Sequence, residues 1–137
     1  MSISYTFFSP AQLPLTPASL GEETARSFTD LAAVQEALGA HLPRLAWEAA
    51  PEFALARGTV TEDEVPFEFS VIAFDDGAAS DERVEDADAT LVVSLRCSGR
   101  VDSAPFVQRL CDASGWIAFD DRFYLFQPHQ PPVPAGG

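Results

Sequence analysis

Between Val65 and Phe74, the apolar residues Phe67, Phe69 and Val71 alternate with Glu68 and Ser70. That period of two predicts a strand with one face buried. Thr90 to Cys97 (TLVVSLRC) is a second strand. Ile3 to Phe8 (ISYTFF), rich in β-branched and aromatic residues and stopped by Ser9-Pro10, is a third. A helical period replaces the alternation twice. Leu31, Val34, Leu38 and Leu42 recur at spacings of three and four, with Ser27 or Thr29 available as cap and Gly39 and Pro43 to end the run. Phe106, Val107, Leu110 and Cys111 form one face of a second helix. It has Asp102 or Ser103 as N-cap, Pro105 in the first turn, where a missing N–H costs nothing, and Gly115 as the C′ residue.

The remaining segments are less regular. Pro10, Pro14, Pro17 and Gly21 make residues 9–27 a long irregular connection. In LAWEAAPEFALARG (45–58), Trp47, Phe53 and Leu55 suit strand faces, but Pro51 forbids an unbroken central strand. Glu62, Asp63 and Glu64 make an acidic turn, and 75–88 is a long hairpin loop. Trp116–Phe119 and Arg122–Phe126 flank Asp120-Asp121 as a hairpin. The last ten residues, Pro128 to Gly137, hold four prolines and two glycines and predict a disordered tail. The expected fold is therefore α+β, a mainly antiparallel sheet with two helices packed on one face, built as a single domain over 1–127.

Charge changes the picture most. Twenty-one Asp and Glu face eight arginines and no lysine, giving a net charge of −13 on 137 residues. Such a field repels nucleic acid and anionic membrane and speeds encounter with a basic protein. At 47% hydrophobic, with eleven Phe and two Trp, the chain nevertheless carries a core of ordinary size. Neither a basic n-region followed by an apolar run nor a membrane-length apolar segment occurs, so cytoplasmic residence is expected, with Cys97 and Cys111 as free thiols.

The candidate chemistry is sparse. Asp75, Asp76, Asp81, Glu82, Glu85, Asp86 and Asp88 crowd one loop, offset by Arg83. An EF-hand reading fails there, because Gly77 and Ala79 stand where calcium ligands belong. The adjacent pairs Asp63/Glu64 and Asp120/Asp121 sit on turns and point apart, unlike a glycosidase dyad. Cys97 and Cys111 read as small buried hydrophobes, since His41 and His129 are the only histidines and neither has nucleophile-base or zinc spacing. Ser114-Gly115-Trp116 and Ser98-Gly99-Arg100 lack both nucleophile-elbow and phosphate-loop spacing. No enzyme, metal or cofactor follows from these residues.

The stretch VDSAPFVQRLCDASGWIAFDDRFYLF, through Leu110, Gly115-Trp116 and Phe119-Asp120, resembles small bacterial immunity proteins encoded beside polymorphic and type VI secretion toxins. It covers about a fifth of the chain. The resemblance implies a cytoplasmic protein that binds one cognate toxin and blocks its active site; no binding residue carries over from it. Combined with the charge, it makes the expected function the occlusion of a basic cleft. The acidic face would comprise Glu62, Asp63, Glu64 and the seven loop carboxylates, with Trp47 as an exposed aromatic anchor. An acidic chaperone or adaptor for a secreted effector is the alternative, and a small carboxylate enzyme the third. The sequence leaves the oligomeric state open.

Overall fold

A computed structural model describes residues 2–13, 15, 16, 18, 21, 24–48, 54–62, 64–74, 90–98 and 102–134. The chain runs β1 (Ser2–Pro10), β2 (Ala25–Arg26), α1 (Leu31–His41), β3 (Ala46–Trp47), β4 (Ala56–Glu62), β5 (Val65–Phe74), β6 (Thr90–Ser98), α2 (Ala104–Ser114), β7 (Ile117–Asp120), β8 (Tyr124–Gln127) and β9 (Gln130–Pro134). One antiparallel sheet has the order β3-β4-β5-β6-β1-β7-β8-β9, and β2 pairs with the end of β1 at Ser9 and Pro10. The fold is α+β and mainly sheet, as the pattern predicts. Among the described residues no helix is long and apolar enough to cross a membrane.

Alternation decides the two faces. Tyr5 and Phe7 of β1, Ala56 and Val60 of β4, Phe67, Phe69 and Val71 of β5, and Leu91, Val93, Leu95 and Cys97 of β6 all point to one side. There they meet Val34, Leu38 and Leu42 from the α1 region and Phe106, Val107, Leu110 and Cys111 from α2. Both helices thus cover one face, and each apolar stripe read from the sequence is its buried face. The aromatic rings interlock: Phe67 stacks on Phe106 with centroids 4.0 Å apart, and Phe7 meets the edge of Trp116 at 6.0 Å.

Local chemistry at the helix ends differs from expectation in two details. The N-cap of α1 is Asp30, whose Oδ1 accepts from the Ala33 N–H at 3.2 Å, rather than Ser27 or Thr29. Ser103 is the N-cap of α2 but makes no side-chain cap bond. Its Oγ instead lies 2.6 Å from the Tyr5 hydroxyl, a buried bond spanning 98 residues of sequence. Gly115 ends α2 at φ +80°, and its N–H donates to the Cys111 carbonyl as a left-handed cap does.

Within the Pro-rich connection before α1, Leu15 is held by a clamp. Gln127 of β8 accepts from the Leu15 N–H through Oε1 and donates to the Leu15 carbonyl through Nε2, both at 2.7 Å. Leu15 is thereby held against Ile117 and Leu125, with Phe8, Phe119 and Val133 around them, as a small second core on the far face of the sheet. The expectation of a disordered tail from Pro128 is corrected over β9. Val133 pairs with Leu125 and Gln130 with Gln127 across a bulge. Proline is tolerated because β9 is an edge strand, where a missing N–H leaves no ladder position empty.

Candidate functional site

Of the residues expected to meet a partner, Asp63, Asp75, Asp76, Asp81, Glu82, Glu85, Asp86 and Asp88 lie outside the described residues. The other three are placed, each in a different setting. Glu62 ends β4 half-buried and lines a hollow of about 240 Å³ with His41, Leu42, Phe106, Arg109, Leu110 and Ala113. Glu64 is exposed, in the left-handed region at φ +68°, and lines a different hollow with Arg44 and Thr59–Thr61. Each carboxylate therefore shares its hollow with an arginine.

Trp47 is half-buried and packs on the main core instead of standing exposed. Its ring lies over Gly58, its register partner on β4. A Cβ placed on Gly58 would come within 2.9 Å of Trp47 Cε3 and 3.1 Å of Cδ2. Exposed aromatic surface is found elsewhere. Phe123, 63% exposed and at φ +63°, sits on the β7–β8 turn beside the less exposed Tyr124. Asp120 builds that turn, its Oδ1 accepting from the N–H groups of Arg122 and Tyr124 at 2.9 Å each.

The sheet face opposite the helices carries an alternating ion-pair chain at its β3–β6 end. Glu48 lies 3.7 Å from Arg57, Arg57 lies 3.5 Å from Glu68, and Glu68 lies 3.6 Å from Arg96. Two acids and two bases balance there.

The most elaborated polar site is a groove of about 430 Å³ between α2 and β9. Its α2 wall is Asp102, Ala104, Pro105, Gln108 and Asp112; its opposite side is His129, Gln130, Pro131 and Pro132. Asp112 organises it. Its Oδ1 accepts from Gln108 Nε2 at 2.9 Å and from the His129 N–H at 2.7 Å, with the His129 imidazole 3.9 Å away. These bonds favour the carboxylate, and the His129 N–H, then Gln108, hold the Asp112 carboxyl below its ordinary value against a smaller upward push from burial. The same contact fixes His129 in the left-handed region at φ +59° and ties the start of β9 to α2.

Gln108 Nε2 donates a second bond, to the Gln127 carbonyl at 2.7 Å, so both its hydrogens are engaged and the amide orientation is set. The oxygen of the same amide is buried and has no donor among the described residues. An orphaned acceptor of this kind costs about 1–3 kcal/mol.

The sequence alone singles out none of this groove: it offers Asp102 as a cap and sets His129 aside as a base or zinc ligand in a Pro-rich tail. The signal was present in the polar stripe Asp102, Pro105, Gln108, Asp112, spaced three, three and four beside the apolar face of α2. Its other wall lay hidden in a Pro-rich segment.

The thiols are placed as expected. Cys97 and Cys111 are free and buried, on a strand and a helix of the same core. Burial, with a smaller contribution from Asp112, pushes the Cys111 thiol up to about 12, so at neutral pH it is no nucleophile. Among the described residues no group of three His, Cys, Asp or Glu is placed to hold a metal ion. Compared with protein families, curated proteins and solved structures, the chain matches none of them.

Proposed function

We propose that this chain is an acidic protein-binding domain whose partner is a basic protein. In this reading it is an immunity protein of the bacterial cytoplasm that occludes the basic active-site cleft of a cognate toxin. The observation that carries the reading is the net charge of −13, reached with arginine as the sole strong base. A field of that size raises the rate of encounter with a positive surface and suppresses binding to anionic competitors. At the β3–β6 end of the sheet face opposite the helices, Glu48, Arg57, Glu68 and Arg96 pair with one another. In this reading docking uses carboxylates outside that ion-pair chain, with Asp112, Glu64 and the acidic sequence 75–88 as its candidates.

The test is affinity capture with the tagged protein at moderate and at high salt. The expected result is one basic protein, released by salt, that arrests growth when expressed alone and is neutralised by co-expression. Capture of a harmless secreted protein would make this chain an adaptor. Unchanged binding after combined neutralisation of Asp81, Glu82, Glu85 and Asp86 would remove the loop from the interface.

A further inference from the structure

The groove between α2 and β9 has a geometry that selects its occupant. Asp102, just before the N-cap of α2, and Asp112, in its third turn, both line it, and the helix alone rises about 12 Å from Ala104 to Asp112. That is too far for one cation to bridge. Gln108 lies between them with its orphaned carbonyl oxygen. The opposite side, Gln130 to Pro132, belongs to an edge strand, but Pro131 and Pro132 have no N–H to offer. An incoming chain cannot extend the sheet across them, and recognition falls to side chains lying along the groove.

We propose that this groove seats an extended segment of the basic partner carrying two arginine or lysine side chains at positions i and i+4. Four residues of extended chain span about 13 Å, and the period of two puts positions i and i+4 on the same side. One cation then meets Asp102 and the other meets Asp112. On Asp112 every bond among the described residues falls on Oδ1, so Oδ2 is available to accept. A donor from the segment's middle, brought in as the groove wall adjusts around it, satisfies Gln108 Oε1. The proposal rests on the basic-partner reading and adds the class of ligand and its spacing.

The experiment is a ¹⁵N-HSQC titration of the whole protein at low ionic strength with two capped peptides of equal length and charge. In one, two arginines stand four apart in a Gly/Ser/Thr background; in the other they are adjacent. A third peptide carries citrulline at the i and i+4 positions.

The expected result is a set of shifts centred on the amides of 104–112 and on His129 and Gln130, saturating first for the i, i+4 peptide. They should be absent with citrulline and weakened about threefold by Asp102→Asn, which alters an exposed residue and leaves the Asp112 contacts intact. Shifts of equal strength for both arginine peptides, or shifts by citrulline, would overturn the spacing and charge argument. Shifts centred elsewhere would overturn the groove while leaving the basic-partner reading standing. No binding of either arginine peptide at low salt would count against both.

Discussion

Placing one methyl group on Gly58 tests how Trp47 is used. In Gly58→Ala the new Cβ meets Trp47 Cε3 at 2.9 Å, closer than carbon atoms tolerate, and Trp47 Cδ2 and Leu45 Cδ1 at a tight 3.1 Å each. The ring must swing away from β4 or β3 must lift. Overpacking of this sort costs about 1–3 kcal/mol. Replacing a strand glycine by alanine returns about 0.5–1 kcal/mol of backbone entropy. Trp47 is on the sheet edge and half-buried, so the ring has somewhere to go, and the net loss should be about 1–2 kcal/mol, a fall in Tm of roughly 3–6 °C.

Urea unfolding followed by far-ultraviolet circular dichroism measures it, in a cycle with Trp47→Leu. In the leucine background the methyl should be neutral or mildly stabilising, leaving a coupling of about 1–2 kcal/mol between the two sites. A Gly58→Ala variant as stable as the parent, or one that loses the same amount in both backgrounds, would refute the packing account. It would also return Trp47 to the pool of free surface anchors.

Three further outcomes are expected. Gln127→Leu removes two 2.7 Å bonds to the Leu15 backbone and should cost about 2–4 kcal/mol in urea unfolding; a loss under about 0.5 kcal/mol would mean the clamp is idle. Asp112→Ala should speed amide exchange at His129 and cost about 1–2 kcal/mol, since both of its donors regain water. Because the folded-state carboxyl of Asp112 lies below its ordinary 3.8, its contribution is complete above about pH 4 and disappears as pH falls through the lower folded value. Protection of the His129 amide in the parent should follow that curve, and in Asp112→Asn it should not. Finally, Cys111, fully buried and raised to about 12, should be inert to a disulfide-exchange reagent at pH 8 and react only on the timescale of unfolding.

The elements legible in the sequence are those whose determinants are local. In α2, Ser103, Pro105 and Gly115 mark the ends and the 106/107/110/111 stripe marks the face, and the structure places all of them accordingly. The alternation in β5 and β6 is equally self-sufficient. Elements hidden from a local reading owe their existence to a partner far along the chain. Residues Ala56–Glu62 turn only Ala56, Gly58 and Val60 inward, too small a signal to announce β4, which forms because β5 pairs with it along its whole length. β9 looks like a tail because prolines break helices and central strands, and only its edge position makes them harmless. The ordering of Leu15 depends on a glutamine 112 residues away. For the candidate site the same rule holds: a stripe on α2 becomes a groove only when the segment after Pro128 folds alongside it.

The position of β1 has a consequence for synthesis. It occupies the interior of the sheet between β6 and β7, with Tyr5 opposite both Leu95 and Asp120. It is therefore made long before either flanking strand exists, and apart from the β2 pairing at Ser9 and Pro10 its edges wait for their partners while the ribosome adds most of the chain. The β4–β5 hairpin has no such wait, because its strands emerge within a few residues of each other. Non-local pairing of this kind slows folding and exposes sticky edges. ISYTFF, without charge or proline, is the composition that stacks into aggregates when left open. Chains truncated before β6 should thus accumulate in inclusion bodies, and survival of the nascent protein depends on how quickly its last third arrives to close over its first strand.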